Sequence, residues 1–383
     1  MAVIWAERAL IGADWQDAVR LEVEAGRIAH IAPGRPPEGT RTGLLVPAPA
    51  NAHSHAFQRA MAGLTERRGT GTDSFWTWRD LMFRFLDRLT PAQVEAIAAL
   101  VQMEMLEAGY GASVEFHYLH HRPGGAPYAN PAEMSERIAA AAATSGIGLT
   151  LLPVFYERGG CDGRPLGPGQ VRFGNDPDGF ARLLEGARAA LAALPPDAAL
   201  GTAPHSLRAV APGRLDEIAA LAGDGPVHMH LAEQIPEVEE VQAHLGARPV
   251  EWALDRIALG PRWCLIHCTQ MQPHETEGLA RTGAVAGLCP LTEASLGDGI
   301  FDGVRWGSAG GRIAVGSDSN IRISLAEELR QLDTSQRLRD HSRAALAAPG
   351  QSTGRHLIDS VAAGGAQAAG RGTGRIEQGA WAD

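Results

Sequence analysis

Eight short apolar runs, each followed by a longer segment or a loop of different texture, constrain this chain more than any other feature. The runs are Leu44–Pro47, Ser113–Phe116, Gly148–Phe155, Leu200–Pro204, Val227–Met229, Trp263–Ile266, Ala284–Leu288 and Arg312–Val315. Between most of them lie helix-like stretches such as PAQVEAIAALVQMEMLEAG, PAEMSERIAAAAATSG and PVEWALDRIALG. Several begin at Pro and end at Gly. Proline suits the first turn of a helix, where its missing N–H is not needed, and glycine suits the left-handed residue just past the end. Strands that alternate with helices are expected to run parallel, because the helix carries the chain back to start the next strand in the same direction. Eight such units predict an α/β fold closed into a (β/α)8 TIM-like barrel, with functional side chains at the C-terminal ends of the strands. The rival is an open doubly wound sheet, but no GxGxxG turn follows any run.

Residues 1–47 have a different texture. RLEVEAGRIAHIAPG alternates apolar and polar residues, with Gly26 and Gly34 as punctuation, which predicts short half-buried strands with tight turns. PGGAPYANP and GGCDGRPLGPGQVRFGNDPDG read as Gly/Pro-rich loops after the second and third strands.

Chemistry-bearing residues gather where a barrel would place its site. His53 and His55 follow the first run, and EFHYLHH spans the end of the second. PHSLR, with His205 and Arg208, ends the fourth. HMHLAEQ, with His228, His230 and Glu233, ends the fifth. His267 ends the sixth and Asp318, in GSDSN, the eighth. Residues two apart in an extended chain face the same side, so His53 and His55 can converge on one ion. An HxH alone is more often a hydrogen-bonded pair at a turn. Adding His230 and Asp318 from two other strand ends favours a metal centre. Imidazoles with one carboxylate suit Zn²⁺, with Fe²⁺ as the alternative. All 34 basic residues are arginine, so no carboxylated lysine can bridge two ions. A glutamate or cysteine bridge stays open, and a single ion is the simpler expectation.

Glu233, three residues after His230, is placed to move protons between water and a leaving group. The plainer reading is a surface or capping glutamate in the acidic AEQIPEVEE. His267 would orient or deprotonate the water, or else be a core histidine. His228 reads as structural, and Cys264 and Cys268 as packing. The formal net charge of −10 disfavours a nucleic-acid partner. No stretch reaches the ~20 apolar residues of a membrane span. MAVIWAERALIGADW lacks the pattern of a signal peptide, so a cytoplasmic protein is expected.

The pattern of HxH, HxxE, His and Asp at these strand ends resembles the amidohydrolase superfamily, in particular its cytosine/guanine-deaminase-like branch with one metal. NAHSHAFQRAMAGLTERRG, DSFWTWRDLM, EFHYLHH, APHSLRAV, HMHLAEQ, TEASLGDGIF and GSDSNIRISLAEELR extend the likeness over about residues 45–370. Within the branch they look most like the family that deiminates N-formimidoyl-L-glutamate in histidine degradation. The metal motifs specify only the superfamily; FWTWRD, and PHSLR with LGDGIF, are narrower signals. The resemblance implies hydrolysis of a linear amidine to N-formyl-L-glutamate and ammonia, one zinc ion and a homodimer. It implies that His53, His55, His230 and Asp318 hold the ion. Glu233 and His267 would be the catalytic pair, with Asp318 helping to hold the hydroxide. Gln58, Arg79, Tyr118, His205 and Arg208 would contact substrate. It also implies a small β-sandwich part built from residues 1–47 with residues 372–383, beside a barrel over residues 48–371.

Two substrate carboxylates require cationic partners, for which Arg208 and Arg79 are the candidates. Arg79 could instead form a surface ion pair with Asp80 or Asp73. Gln270 stands where a second histidine is expected, and Ser295 where asparagine is usual. In the superfamily that the chain resembles, a stretch like GAWAD leads into further strands of the small β-sandwich, so the resemblance implies a truncated C-terminus. Two alternatives stay open: a deaminase acting on a purine, pyrimidine or triazine ring, and a catalytically silent barrel.

Overall fold

The computed structural model describes residues 1–65 and 75–383. The N-terminal region forms one sheet from β1 (Ala2–Ile11), β2 (Asp14–Glu24), β3 (Arg27–Ala32) and β4 (Thr40–Leu45). The strand order is β3-β2-β1-β4, and β4 runs parallel to β1. Val19, Leu21 and Ile28 face a small core that also takes in Ile376 and Ala380. The last residues lie along β3: Ile28 N donates to Ala380 O at 2.9 Å, and Ala382 N to Gly26 O at 2.8 Å.

The rest of the chain is a β/α barrel. Its strands are β5 (Ala50–Ser54), β6 (Ala112–His117), β7 (Gly148–Phe155), β8 (Ala199–Leu200), β9 (Ala203–Pro204), β10 (Val227–Leu231), β11 (Trp263–His267), β12 (Val285–Leu288) and β13 (Arg312–Val315). β8 and β9 share the fourth position, so these segments fill eight places. All pairings are parallel, in the orders β5-β6-β7-β8, with β9 also on β7, and β10-β11-β12-β13. Parallel bridges from Thr202 to Val227 and from Ser54 to Asp318 join the two halves into a ring. No helix among the described residues is long and apolar enough to cross a membrane.

The first barrel strand is not Leu44–Pro47. Leu44 and Leu45 end β4 in the small sheet, and Leu44 is 65% exposed. Proline lacks the N–H that a central strand must donate, so Pro47 and Pro49 fall in the crossing between the two sheets. The actual strand, Ala50–Ser54, looks polar, yet all of it is buried. Its polar groups are satisfied across the ring: Asn51 Nδ2 donates to Ser317 Oγ at 2.7 Å, and Ser317 N donates to Asn51 Oδ1 at 3.1 Å. Two other strands run longer than the apolar pattern suggests, so that β10 contains His230 and β11 ends on His267.

The helix Thr353–Ala369 packs on β13 through Gly364, where a Cβ would overlap the carbonyl of Ile313. Alanine gains ~0.5–1 kcal/mol over glycine in a helix, but overpacking against rigid backbone costs ~1–3 kcal/mol. Gly364→Ala should therefore lower the thermal midpoint, by roughly 1–2 °C for each net kcal/mol. Calorimetry checks this; an unchanged or raised midpoint would show that helix and strand part there at no cost.

Candidate active site

His53 and His55 converge, and His230 from β10 joins them. His53 Nε2 lies 3.2 Å from His55 Nε2 and 3.1 Å from His230 Nε2. Asp318 Oδ1 lies 3.2 Å from His55 Nε2 and 3.5 Å from His53 Nε2. Ring nitrogens this close need a proton or a cation between them. Zinc–nitrogen bonds of ~2.0–2.1 Å in a tetrahedral set put donors roughly 3.3–3.4 Å apart, so the spacing fits a single ion. The ring orientations fit as well. His55 Nδ1 pairs with Phe116 O at 2.9 Å, and His230 Nδ1 with His205 O at 3.1 Å. Each Nδ1 therefore carries the proton, and each Nε2 lone pair faces the common point. Burial, and next the neighbouring His55, lowers His53 to about 3. Burial likewise lowers His55 and His230, so all three rings are neutral donors. Burial opposes ionisation of Asp318. Its contacts with His53 and His55 and the nearby His267 outweigh it and keep the carboxylate.

The backbone aims these groups. Asp318 N donates to His53 O at 2.9 Å, and His55 N to Asp318 O at 3.0 Å. Asp318 has φ 46° and His267 φ 72°. Aspartate and histidine tolerate this left-handed region better than most residues, and it turns both side chains into the barrel mouth. β13 approaches β5 closely because residue 316 is glycine: a Cβ there would come within 2.5 Å of His53 N.

A second cluster adjoins the first. His267 stands between two carboxylates, with Nε2 3.7 Å from Glu233 Oε1 and Nδ1 3.3 Å from Glu293 Oε1. Glu293 Oε1 also accepts from Cys289 N at 2.8 Å. Asp298 joins Glu233 and His267, with one donor atom of each within 4.8 Å of the others. Burial pushes Glu233 and Asp298 up. Burial alone would lower His267, but Glu233, Glu293 and Asp318 raise it well above the imidazole range. The cluster can therefore hold and exchange protons near neutral pH. Glu233 is 4% exposed, so it is not a surface glutamate. Glu237 fixes its backbone, accepting from Glu233 N at 2.9 Å.

Both clusters open onto one cavity, which His55, His230, Asp318, Glu233 and His267 line together. Gln58, Arg79, Tyr118, His205 and Arg208 all line it. Gln58 Nε2 donates to Tyr118 Oη at 2.7 Å, while Gln58 Oε1 is buried without a partner. Arg208 NH2 lies 3.9 Å from both Glu233 Oε2 and Glu237 Oε2. Arg79 projects from the helix Phe75–Leu86 over the Phe83 ring, 5.4 Å from its centroid. Asp73, one of its alternative ion-pair partners, lies outside the described residues.

The sequence reading missed Tyr156, Glu237, Glu293 and Asp298. Tyr156 directly follows β7 but looks like core. Glu293 and Asp298 sit in TEASLGDGIF without any metal-type spacing. Of the peripheral residues, His228 Nε2 pairs with Ala368 O at 2.8 Å, away from the cavity. Cys264 and Cys268 are packed in the core. Gln270 Nε2 donates to Asp298 O, so this departure props the loop that carries Asp298.

Residues 44–383 match the model of the amidohydrolase family, and residues 1–41 match that of the formimidoylglutamate deiminase HutF N-terminal domain. The chain is 48% identical over 388 residues to a formimidoylglutamate deiminase of Pseudomonas aeruginosa, covering 100% of this chain and 85% of that one. A crystal structure of an amidohydrolase from Brucella melitensis superposes with a TM-score of 0.97 at 50% identity, over 100% of this chain and 86% of that one. Atrazine chlorohydrolase TrzN from Arthrobacter aurescens, solved with zinc, shares the fold at 18% identity, with a TM-score of 0.84 over 100% of this chain and 86% of that one.

Proposed function

The chain belongs to the amidohydrolase family, and from that premise we propose that it hydrolyses N-formimidoyl-L-glutamate to N-formyl-L-glutamate and ammonia. It is a homologue of formimidoylglutamate deiminase and a hydrolase of a C–N bond. The observation that supports this substrate is the pair of arginines, Arg79 and Arg208, on the cavity beside the His–Asp cluster. An arginine fork suits a carboxylate because two N–H bonds form in parallel, and this substrate carries two carboxylates.

In this reading His53, His55, His230 and Asp318 hold one zinc ion, with Fe²⁺ as the alternative. Such an ion supplies Lewis acidity, which brings the pKa of water towards ~7. Glu233 takes the proton of the attacking water. His267, tethered at Nδ1 by Glu293, keeps its Nε2 edge towards Glu233. Oxygen adds to the formimidoyl carbon as Glu233 passes this first proton to the imino nitrogen; Glu233 then takes the proton of the new hydroxyl and delivers it to the same nitrogen, so that the C–N bond breaks, NH3 leaves and the carbonyl forms. Gln58, Tyr118 and His205 orient the substrate, and Arg208 and Arg79 take its carboxylates. A homodimer in the cytoplasm belongs to the same reading, and sedimentation checks the dimer.

The test is ammonia release from N-formimidoyl-L-glutamate by wild type and by Arg208→Met. Removing one partner of a buried charge pair costs ~2–5 kcal/mol, roughly 30- to several-thousand-fold in kcat/KM. A surface arginine would cost under ~1 kcal/mol. Ammonia from a purine, pyrimidine or triazine, and none from formimidoylglutamate, would replace this reading with the ring-deaminase one. No ammonia from any of them would leave the barrel silent.

A further inference from the structure

We propose that Tyr156 is a specificity-determining residue, whose hydroxyl donates to a substrate carboxylate held between Arg79 and Arg208. The proposal rests on the dicarboxylate reading above. Tyr156 directly follows β7, is 7% exposed and lines the cavity, with its ring 4.6 Å from that of His205.

The direction of its hydroxyl is set by the Gly/Pro-rich loop after β7. Gln170 of that loop donates Nε2 to Tyr156 Oη at 2.7 Å. The amide is not free to flip, because Gln170 Oε1 accepts from Gly167 N at 2.9 Å. Gln170 is itself only 8% exposed. The tyrosine oxygen is therefore engaged as an acceptor, and its O–H is left to donate elsewhere. The charges acting most strongly on it are those of Arg208 and Arg79, with Arg164 next. Guanidinium groups have no acceptor, so none of them can take this proton. Burial pushes Tyr156 up, although these arginines and Gln170 oppose it, so it stays a phenol at neutral pH. The Tyr156 O–H, buried among cations and not engaged by Gln170, can donate to an anionic acceptor that enters the cavity. A carboxylate is such an acceptor; an uncharged ring is not.

The experiment uses the zinc-loaded full chain as wild type, Tyr156→Phe and Gln170→Glu, with two readouts. One is ammonia release from N-formimidoyl-L-glutamate. The other is calorimetric binding of N-formyl-L-glutamate against two analogues that each lack one carboxylate, N-formyl-L-norvaline and N-formyl-4-aminobutyrate. Wild type should prefer the dicarboxylate. Tyr156→Phe keeps the ring, so packing alone predicts no change. Loss of a hydrogen bond to a charged group predicts a preference reduced about 10- to 100-fold against at least one analogue. Gln170→Glu keeps the tyrosine but offers it a carboxylate acceptor, which turns the O–H away from the cavity. It should lose at least as much. If wild type turns over and Tyr156→Phe keeps the full preference against both analogues, the proposal is wrong and the activity reading stands. If wild type releases no ammonia but prefers the dicarboxylate, and Tyr156→Phe loses that preference, the activity reading fails and Tyr156 remains a carboxylate reader. Absence of both turnover and preference in wild type removes both.

Discussion

Glu233→Gln is expected to keep its metal and lose turnover by ~10²–10⁴-fold, the usual contribution of a positioned general acid–base group. The amide has the same shape and the same buried place, but no proton to take or give at any working pH. Its neighbours set the expectation. Glu233 Oε1 lies 3.7 Å from His267 Nε2, and Oε2 lies 3.9 Å from Arg208 NH2. Neither contact is a metal ligand of the His–Asp cluster. Metal content by plasma emission should therefore match wild type while kcat for ammonia release falls. A rate within a few-fold of wild type would hand the proton step to another group of the cluster, and Asp298 would be the first to test, because burial also holds its carboxyl high.

Asp318→Asn is expected to lose metal and activity together. Asp318 is the single anion among the donors, and its Oδ1 sits within 3.5 Å of both His53 and His55. Loss of a group that merely supports a ligand costs ~10–100-fold in metal affinity, and loss of an anionic ligand should cost at least that. Wild type dialysed against a chelator should go silent and recover when zinc is restored. The variant should need about 100-fold more free zinc, or more, for half recovery. The fold should survive, because residue 318 bonds to the chain at β5 through its main chain, and Ser317 and Asn320 make the side-chain bonds there. An unchanged circular dichroism spectrum separates ligand loss from unfolding. Full zinc occupancy with wild-type turnover would remove Asp318 from the site.

Periodicity and residue chemistry are local, and they alone determined much of this protein. Apolar runs with Pro and Gly punctuation define parallel strands and helices wherever they occur, so the barrel was legible without coordinates. The candidate metal cluster is nearly as local: His53 and His55 share a strand face by their spacing, and His230 with Asp318 could be added from strand ends. The first barrel strand was not legible. Ala50–Ser54 looks too polar for a core because its satisfaction comes from Ser317, 266 residues away. Nothing within the strand marks Asn51 as paired rather than exposed. Tyr156, Glu293 and Asp298 were likewise not assigned to the site, although TEASLGDGIF, which holds both carboxylates, carried part of the family likeness. Each gains its role from a partner on another strand or loop: Gln170 for the tyrosine, and His267 with Glu233 for the carboxylates. Burial then sets their protons, and burial belongs to the closed ring. Residue types and spacing decided which groups could do chemistry; closure of the barrel decided which polar groups would meet and be shielded from water, because that cost or gain exists only once distant strands stand side by side.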